Sequence, residues 1–92
     1  MHYRLLYELI TKSNRHYFQS LGANAKRPSQ AVLFGEEHLR QEGFEDSEIN
    51  SVEVEHVQEE DIPSHVLERA FRNVNKEGIY WTAGRIEAEE ED

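Results

Sequence analysis

The amino-acid sequence predicts one small α+β domain with elements in the order β-β-α-β-α-β. Two-residue apolar alternation, typical of half-buried strands, occurs in residues 3–10 and 49–58. A 3.6-residue apolar period, typical of amphipathic helices, occurs in residues 28–42 and 61–74. A chain of 92 residues has room for one core. We therefore expect a mostly antiparallel sheet with two helices on one face.

The first two strands are predicted to form a β-hairpin. In residues 3–10 one apolar face is formed by alternate side chains, namely Tyr3, Leu5, Tyr7 and Leu9. A short amphipathic helix is the alternative for this segment. The polar residues 11–14 favour a turn, and the aromatic spacing after them indicates a second strand over residues 15–23. Gly22 near its end permits a bulge or a close backbone approach.

The first helix is predicted over residues 28–42. Pro28 suits the first helical position, where its missing N–H costs nothing. The core stripe comprises Ala31, Val32, Gly35 and Leu39. Gly43 follows at the position where a left-handed cap is wanted. Leu33 and Phe34 widen the apolar arc beyond what one sheet face needs, and they are a candidate dimer patch.

The second half of the chain supplies the remaining elements. Val52 and Val54 are expected to point inward from the third strand, and Glu53 and Glu55 outward. A second helix is expected after an Asp61 cap, with an apolar stripe of Val66, Leu67, Ala70, Phe71 and Val74. A last strand is expected over residues 79–86. The domain is then predicted over residues 1–86, followed by an acidic C-terminal tail over residues 87–92.

Composition excludes several classes of protein. The chain has no cysteine, so neither a disulfide framework nor a thiolate zinc site is available. No apolar run approaches the ~20 residues of a membrane-spanning helix. Residues 1–4 lack the features of a signal peptide, so a cytoplasmic location is expected.

Charge is distributed unevenly along the chain. The net charge is -9. Residues 1–40 hold six basic and three acidic residues, whereas residues 41–92 hold four basic and sixteen acidic residues. This asymmetry favours an interaction with a basic partner, although solubility alone also accounts for an acidic segment.

No catalytic or metal-binding pattern occurs in the sequence. The five histidines form no HxH, HxxxH or HExxH spacing, and the serines form no GxSxG elbow. The glycines form no phosphate-binding loop. We therefore expect a non-enzymatic protein without a cofactor, a metal or catalytic residues.

Residues 3–58 resemble an architectural pattern of short accessory proteins carried by phages and plasmids. The pattern joins a β-hairpin, a junction at which alanine precedes a helix, a helix that ends in glycine, and an acidic Val-Glu-Val-Glu strand. Here it comprises Ala23-Asn24-Ala25, the helix through Ala31 and Leu39, Gly43, and Val52 to Glu55. The resemblance implies an accessory protein of a mobile element, and it assigns no functional residue.

Three functional hypotheses follow. In the first hypothesis, a row of carboxylates imitates the phosphates of nucleic acid and binds a basic surface of a host nucleic-acid-handling complex, as an anti-defence inhibitor would. The carboxylates are those of Glu53, Glu55, Glu59, Glu60 and Asp61. The alternative role of such charges is protection of an edge strand against aggregation. In the second, the chain is a structural or regulatory subunit that dimerises through an open sheet face or through Leu33 and Phe34. In the third hypothesis, basic and aromatic residues contact nucleic acid directly, although the net negative charge of the chain opposes this binding. The residues are Arg4, Lys12, Arg15, Tyr17, Phe18, Lys26 and Arg27.

Overall fold

The computed structural model of the protein describes residues 1–70 and 73–88 and confirms the α+β class. The described residues form β1 (His2–Ile10), β2 (His16–Asn24), α1 (Pro28–Gln41), β3 (Ile49–Val57), α2 (Ser64–Ala70), β4 (Gly78–Thr82) and β5 (Ile86–Glu87). Short 3₁₀ turns at Asp46–Glu48 and Glu59–Asp61 precede and follow β3. All strand pairs are antiparallel in the order β3-β1-β2-β4, and β5 pairs with the start of β2.

The predicted hairpin of β1 and β2 is confirmed, and these two strands form the centre of the sheet. Its register pairs Leu5 with Leu21 and Ile10 with His16. The turn closes with a hydrogen bond from the Thr11 N–H to the Arg15 carbonyl, and Asn14 adopts a positive φ of 63°. The predicted apolar residues of β1 are all buried and define what we call the α1 face; they are Tyr3, Leu5, Tyr7 and Leu9.

Helix α1 packs on this face through the residues of its predicted stripe. Ala31, Gly35 and Leu39 are buried. Gly35 permits the close approach, because a Cβ at this position would lie 2.2 Å from the Tyr7 hydroxyl oxygen. The Tyr7 hydroxyl donates a hydrogen bond to the Val32 carbonyl oxygen at 3.1 Å. The helix is therefore held flat against the sheet at its middle turn.

The end of α1 is a Schellman motif. Gly43 has a φ of 103°, in the region that favours glycine. The Gly43 N–H donates to the Arg40 carbonyl and the Phe44 N–H to the Leu39 carbonyl, both at 3.0 Å. Phe44 packs against the core around Leu39. The predicted glycine cap is confirmed.

Helix α2 packs against the opposite face of the sheet, so the expectation of two helices on one face is wrong. The buried residues of α2 and its flanks form a second cluster, Ile62, Val66, Ala70 and Val74. Tyr80 belongs to this cluster, and its ring lies over Gly22. Leu21 and Ala23 belong to the cluster of buried residues between α1 and the sheet, which we call the first core. Gly22 lies between them on β2 and therefore faces the other way. We call this second side the α2 face.

The segment around α2 differs from its predicted boundaries. Asp61 lies in the 3₁₀ turn rather than at the start of the helix, and the Pro63 carbonyl accepts the first helical hydrogen bonds, from Val66 and Leu67. Phe71, predicted to belong to the apolar stripe, lies outside the described residues.

The predicted last strand is divided into β4 and β5. The strand β4 ends at Thr82, and Arg85, in the segment between the two strands, contacts Gln19 of β2 and Glu42 at the end of α1. The chain rejoins β2 where Ile86 pairs with Phe18, and the Ala88 N–H donates to the His16 carbonyl at 2.9 Å. Glu87, assigned to the tail by sequence, thus ends β5, while residues 89–92 of the predicted tail lie outside the described residues.

Candidate functional site

The predicted acidic residues lie together at the β3 side of the molecule. Glu53 and Glu55 project from the α2 face of β3, since they pair with Leu6 and Arg4 of β1. The 3₁₀ turn after β3 carries Glu59, Glu60 and Asp61. All five side chains are exposed. We call this set, Glu53, Glu55, Glu59, Glu60 and Asp61, the acidic edge.

The acidic edge retains most of its negative charge. Glu55 forms an ion pair with Arg4, with 3.2 Å between its oxygen and the guanidinium nitrogen. Both partners are largely exposed, so solvent limits the contribution of this pair to about 1 kcal/mol or less. Across residues 1–70 and 73–88, no other member of the acidic edge forms an ion pair.

Strand β3 is an edge strand of the sheet that the described residues form. It pairs with β1 and has no strand on its other side. Val54 is partly exposed, and β3 is regular over Val52 to Val57. Such an edge leaves backbone N–H and C=O groups open to a partner, and the neighbouring charges discourage random pairing.

A cavity of about 390 Å³ lies between α2 and the α2 face of the sheet. Its floor contains the small residues Ser20 and Gly22 of β2. Its walls are apolar and aromatic, from Val57, Ile62, Val66, Tyr80 and Trp81. Four charged or titratable side chains also line the cavity, namely Arg4, Glu55, Asp61 and His65. Mostly apolar walls with a few polar groups are typical of binding sites, and this volume lies in their range.

A bulge in the sheet places two consecutive aromatic residues beside this cavity. The β2–β4 register shifts between Gly22 and Ala23, so that Ile79 pairs with Ala23 and Trp81 with Gly22. Ile79 packs on the first core, whereas Tyr80 and Trp81 both join the second cluster. Burial raises the pKa of Tyr80, so its hydroxyl stays protonated near neutral pH. The predicted bulge or close approach at Gly22 is confirmed, and both occur.

The predicted basic residues are not brought together. Lys12 and Arg15 lie at the hairpin turn, while Lys26 and Arg27 follow the opposite end of β2. Nine residues of strand separate these ends, a distance of about 27 Å at the usual rise. Several of these cations are also paired, since Lys12 contacts Glu45 at 2.8 Å and Lys26 contacts Glu77 at 3.7 Å.

The aromatic members of the basic set lie on different faces of β2. Phe18 belongs to the α2 face, because it pairs with Glu8, whereas Tyr17 packs on the first core. The seven residues predicted for nucleic-acid contact therefore form no continuous surface in this fold.

The predicted dimer patch is also divided. Leu33 is 62% exposed on α1, but Phe34 packs against the first core. A second apolar surface lies on the α2 face, away from the residues that α2 contacts. It consists of Leu6, Ile10, Phe18 and Ile86, and we call it the open apolar face. Ile86 is 69% exposed. The sequence pattern did not indicate this exposure, because it placed Ile86 at the end of one strand over residues 79–86.

A polar cluster around the buried Gln19 joins α1 to the loop between β4 and β5. Gln19 is buried and accepts a hydrogen bond from Arg85 Nε at 3.1 Å. Arg85 also binds Glu42 and lies over the Phe44 ring, with its central carbon 4.6 Å from the ring centre. A polar residue between Tyr17 and Leu21 in the buried alternation of β2 was the available sequence signal. This cluster holds elements together and has no adjoining cavity among those described.

The described residues contain no group of three or more histidine, aspartate or glutamate side chains placed to hold a metal ion. None of the described helices has the length and apolar composition needed to cross a bilayer. No protein-family model, curated protein or solved structure matches the chain.

Proposed function

We propose that this protein is a non-enzymatic interaction module that binds a basic surface of a protein partner through the acidic edge. The observation that carries the proposal is the grouping of five exposed carboxylates on β3 and the turn after it. Within the described part of the chain, one of the five is paired with a cation. The negative electrostatic potential of grouped carboxylates speeds the encounter with a basic partner and favours it over acidic proteins.

A basic partner is favoured over a second copy of the chain at this edge. If two β3 strands paired antiparallel, Glu53 and Glu55 of one copy would lie beside the same carboxylates of the other. Like charges directly opposite one another destabilise a strand pair. A segment with lysine or arginine at alternate positions would gain attraction at the same places.

The partner we propose is a nucleic-acid-handling protein whose basic channel normally binds phosphate. Glu53 and Glu55 are two residues apart on one face, about 6.6 Å by the rise of a strand. Carboxylates repeated at this interval supply a row of negative charges, as a nucleic-acid strand does. The protein would then act as an inhibitor that competes with nucleic acid, the role expected for a mobile-element accessory protein.

The test is binding by a variant with reversed charge on the acidic edge. The tagged protein is used to isolate its partner complex from host lysate, and elution is followed over a salt gradient. Glu53→Lys, Glu55→Lys and Glu59→Lys together should weaken binding to the isolated partner by about tenfold or more at low ionic strength. The difference should shrink as salt rises.

A matched control carries the same change of charge on other surfaces. Glu37, Asp46 and Glu87 are exposed on α1, on the first 3₁₀ turn and on β5, respectively. Replacing these three by lysine should leave most of the affinity in place. Equal losses in the two triple variants would mean that net charge, and not the acidic edge, determines binding. Unchanged affinity in the first variant would contradict the proposal.

A homodimeric structural or regulatory subunit is the second candidate, and the open apolar face favours it. Phe18 pairs with Glu8, which lies between Leu6 and Ile10 on the same face, so the apolar residues are neighbours. Sedimentation of the protein over micromolar concentrations tests this function. A dimer that Phe18→Ser and Ile86→Ser together convert to monomer would support it, and a monomer throughout would contradict it.

A further inference from the structure

The cavity beside the acidic edge has the chemistry of a site for a cationic side chain. Its wall includes the indole of Trp81, and its lining includes the carboxylates of Glu55 and Asp61. The face of an indole attracts cations more strongly than other aromatic rings do. Apolar walls suit the aliphatic part of a long basic side chain, and the carboxylates suit its charged end.

Charge at the cavity favours a cation over an anion. Arg4 and Glu55 form an ion pair and offset each other's charge, which leaves Asp61 as a carboxylate of the lining that forms no ion pair with the described residues. Asp61 lines the cavity, and Glu59 and Glu60 precede it in the same 3₁₀ turn, so the chain at this side of the cavity is negatively charged. A phosphate or carboxylate ligand would have to enter against this field.

We propose that this cavity receives an arginine side chain of the basic partner, with the guanidinium against Trp81 and paired with Asp61. The inference rests on the proposed function and adds to it the anchor residue that the partner supplies. Arginine suits the site better than lysine does. Its guanidinium is planar, weakly hydrated and able to stack on an indole while it hydrogen-bonds a carboxylate, whereas an ammonium is compact and strongly hydrated.

The small residues of the floor explain why space exists here. Ser20 and Gly22 lie at consecutive α2-face positions of β2, and neither fills the volume under α2. Tyr80 closes over Gly22, where a Cβ would lie 3.0 Å from the ring. A side chain at this position would press on the Tyr80 ring, which would have to shift by a few tenths of an ångström.

Trp81 is the only tryptophan of the chain, so its fluorescence reports directly on the cavity. Three short peptides of equal length serve as probes: an all-lysine peptide, the same peptide with one central arginine, and the same peptide with citrulline at that position. Citrulline has the shape of arginine without its charge. The arginine peptide should change Trp81 fluorescence and bind about fivefold more tightly than the all-lysine peptide. The citrulline peptide should bind less tightly than either.

Two variants test whether the preference arises in the cavity, with affinity read from the anisotropy of labelled peptides. Trp81→Leu should make the affinities for the arginine and all-lysine peptides equal, while binding to the acidic edge remains. Ser20→Leu, which fills the floor from a strand position, should have the same effect and retains the indole. Leu33→Ala, an exposed change on α1, should keep the preference. Circular dichroism verifies that each variant is folded.

The outcomes separate this inference from the proposed function. If the arginine and all-lysine peptides bind equally and leave Trp81 fluorescence unchanged, the cavity is not an arginine site, and the proposed function still stands. If Ser20→Leu folds and keeps the preference, the inference is likewise overturned. If none of the peptides binds even at low ionic strength, both the inference and the proposed function fail.

Discussion

Replacement of Gly35 by alanine tests the contact that seats α1 on the sheet. The added Cβ would lie 2.2 Å from the Tyr7 hydroxyl oxygen and 2.9 Å from two carbons of its ring. Because carbon atoms pack at about 3.5–4.0 Å, the ring or the helix must move by roughly 1 Å. Tyr7 is completely buried, so no open space receives the displaced ring.

The expected cost combines three terms. Overpacking of a filled core costs about 1–3 kcal/mol. Displacement of the ring breaks the hydrogen bond from Tyr7 to the Val32 carbonyl, at about 1 kcal/mol. Alanine recovers about 1 kcal/mol through its higher helix propensity. We therefore expect Gly35→Ala to lower the free energy of unfolding by about 1–3 kcal/mol, a large part of what a domain of this size has.

Urea denaturation followed by circular dichroism measures this change, and Tyr7→Phe localises it. Tyr7→Phe removes the oxygen nearest to the new Cβ, so the double variant should lose about 1 kcal/mol less than the sum of the single losses. Glu37→Ala, at an exposed position of the same helix, should change the stability by less than about 0.5 kcal/mol. If Gly35→Ala stabilises the protein and the two changes are additive, α1 does not pack on Tyr7 in this way.

Three further predictions address other parts of the fold. Arg85→Ala should cost about 1–3 kcal/mol in urea denaturation, since it leaves the buried Gln19 without its donor; a loss below about 0.5 kcal/mol would contradict a role for this cluster in stability. Gly43→Ala should cost about 1–2 kcal/mol because its φ is 103°, whereas Gly84→Ala, which has open space around its Cβ, should be nearly neutral; equal effects would argue against the left-handed cap. Burial, then the N-terminal ammonium, lowers the pKa of His2 from its ordinary value of 6.5, against the opposing effect of Glu59. Below pH 6.5 the unfolded chain then binds more protons than the folded protein does, so the free energy of unfolding should fall as the pH drops below that value. If the free energy of unfolding of a His2→Gln variant falls equally steeply at acidic pH, His2 is not the group responsible.

Much of the architecture was predictable because its signals are local. The alternation in β1 identified the buried face, and Pro28 and Gly43 bounded α1 to within one residue, since the helix runs from Pro28 to Gln41. These signals depend on a single turn or on a two-residue period. Such local signals do not depend on how distant segments of the chain meet, so the predictions based on them did not require knowledge of the rest of the fold.

The side of the sheet that α2 covers was not predictable, because β1 has apolar residues on both faces. Leu6 and Ile10 indicate that the second face is partly apolar, but they do not indicate what lies on it. The answer depends on Tyr80 and Trp81, which are consecutive and would be placed on opposite faces by a two-residue period. The bulge at Gly22 puts both on one face, and periodicity contains no information about that register shift.

The candidate sites show the same limit. Lys12, Arg15, Lys26 and Arg27 are close in sequence, but a hairpin places its turn and its ends at opposite ends of the sheet. The acidic residues stayed together because they occupy one strand and the turn that follows it. Apart from the predicted close approach at Gly22, the cavity had no sequence signal, since its floor is formed by small residues of β2 and its walls come from the end of β3, from the α2 segment and from β4.

The sheet order makes the acidic edge and the cavity two parts of one surface. Strands β3 and β4 are separated by β1 and β2, a distance of about 14 Å at the usual strand spacing. The segment from the end of β3 to α2 crosses this gap, so Asp61 and Trp81 line the same cavity. Exposed charges act mainly on the rate of association, whereas a side chain held in a cavity acts mainly on the rate of dissociation. A partner that used both parts would therefore arrive quickly because of Glu53, Glu59 and Glu60, and would remain bound because of Trp81. Loss of the acidic edge and loss of the cavity would then weaken the same complex through different rate constants.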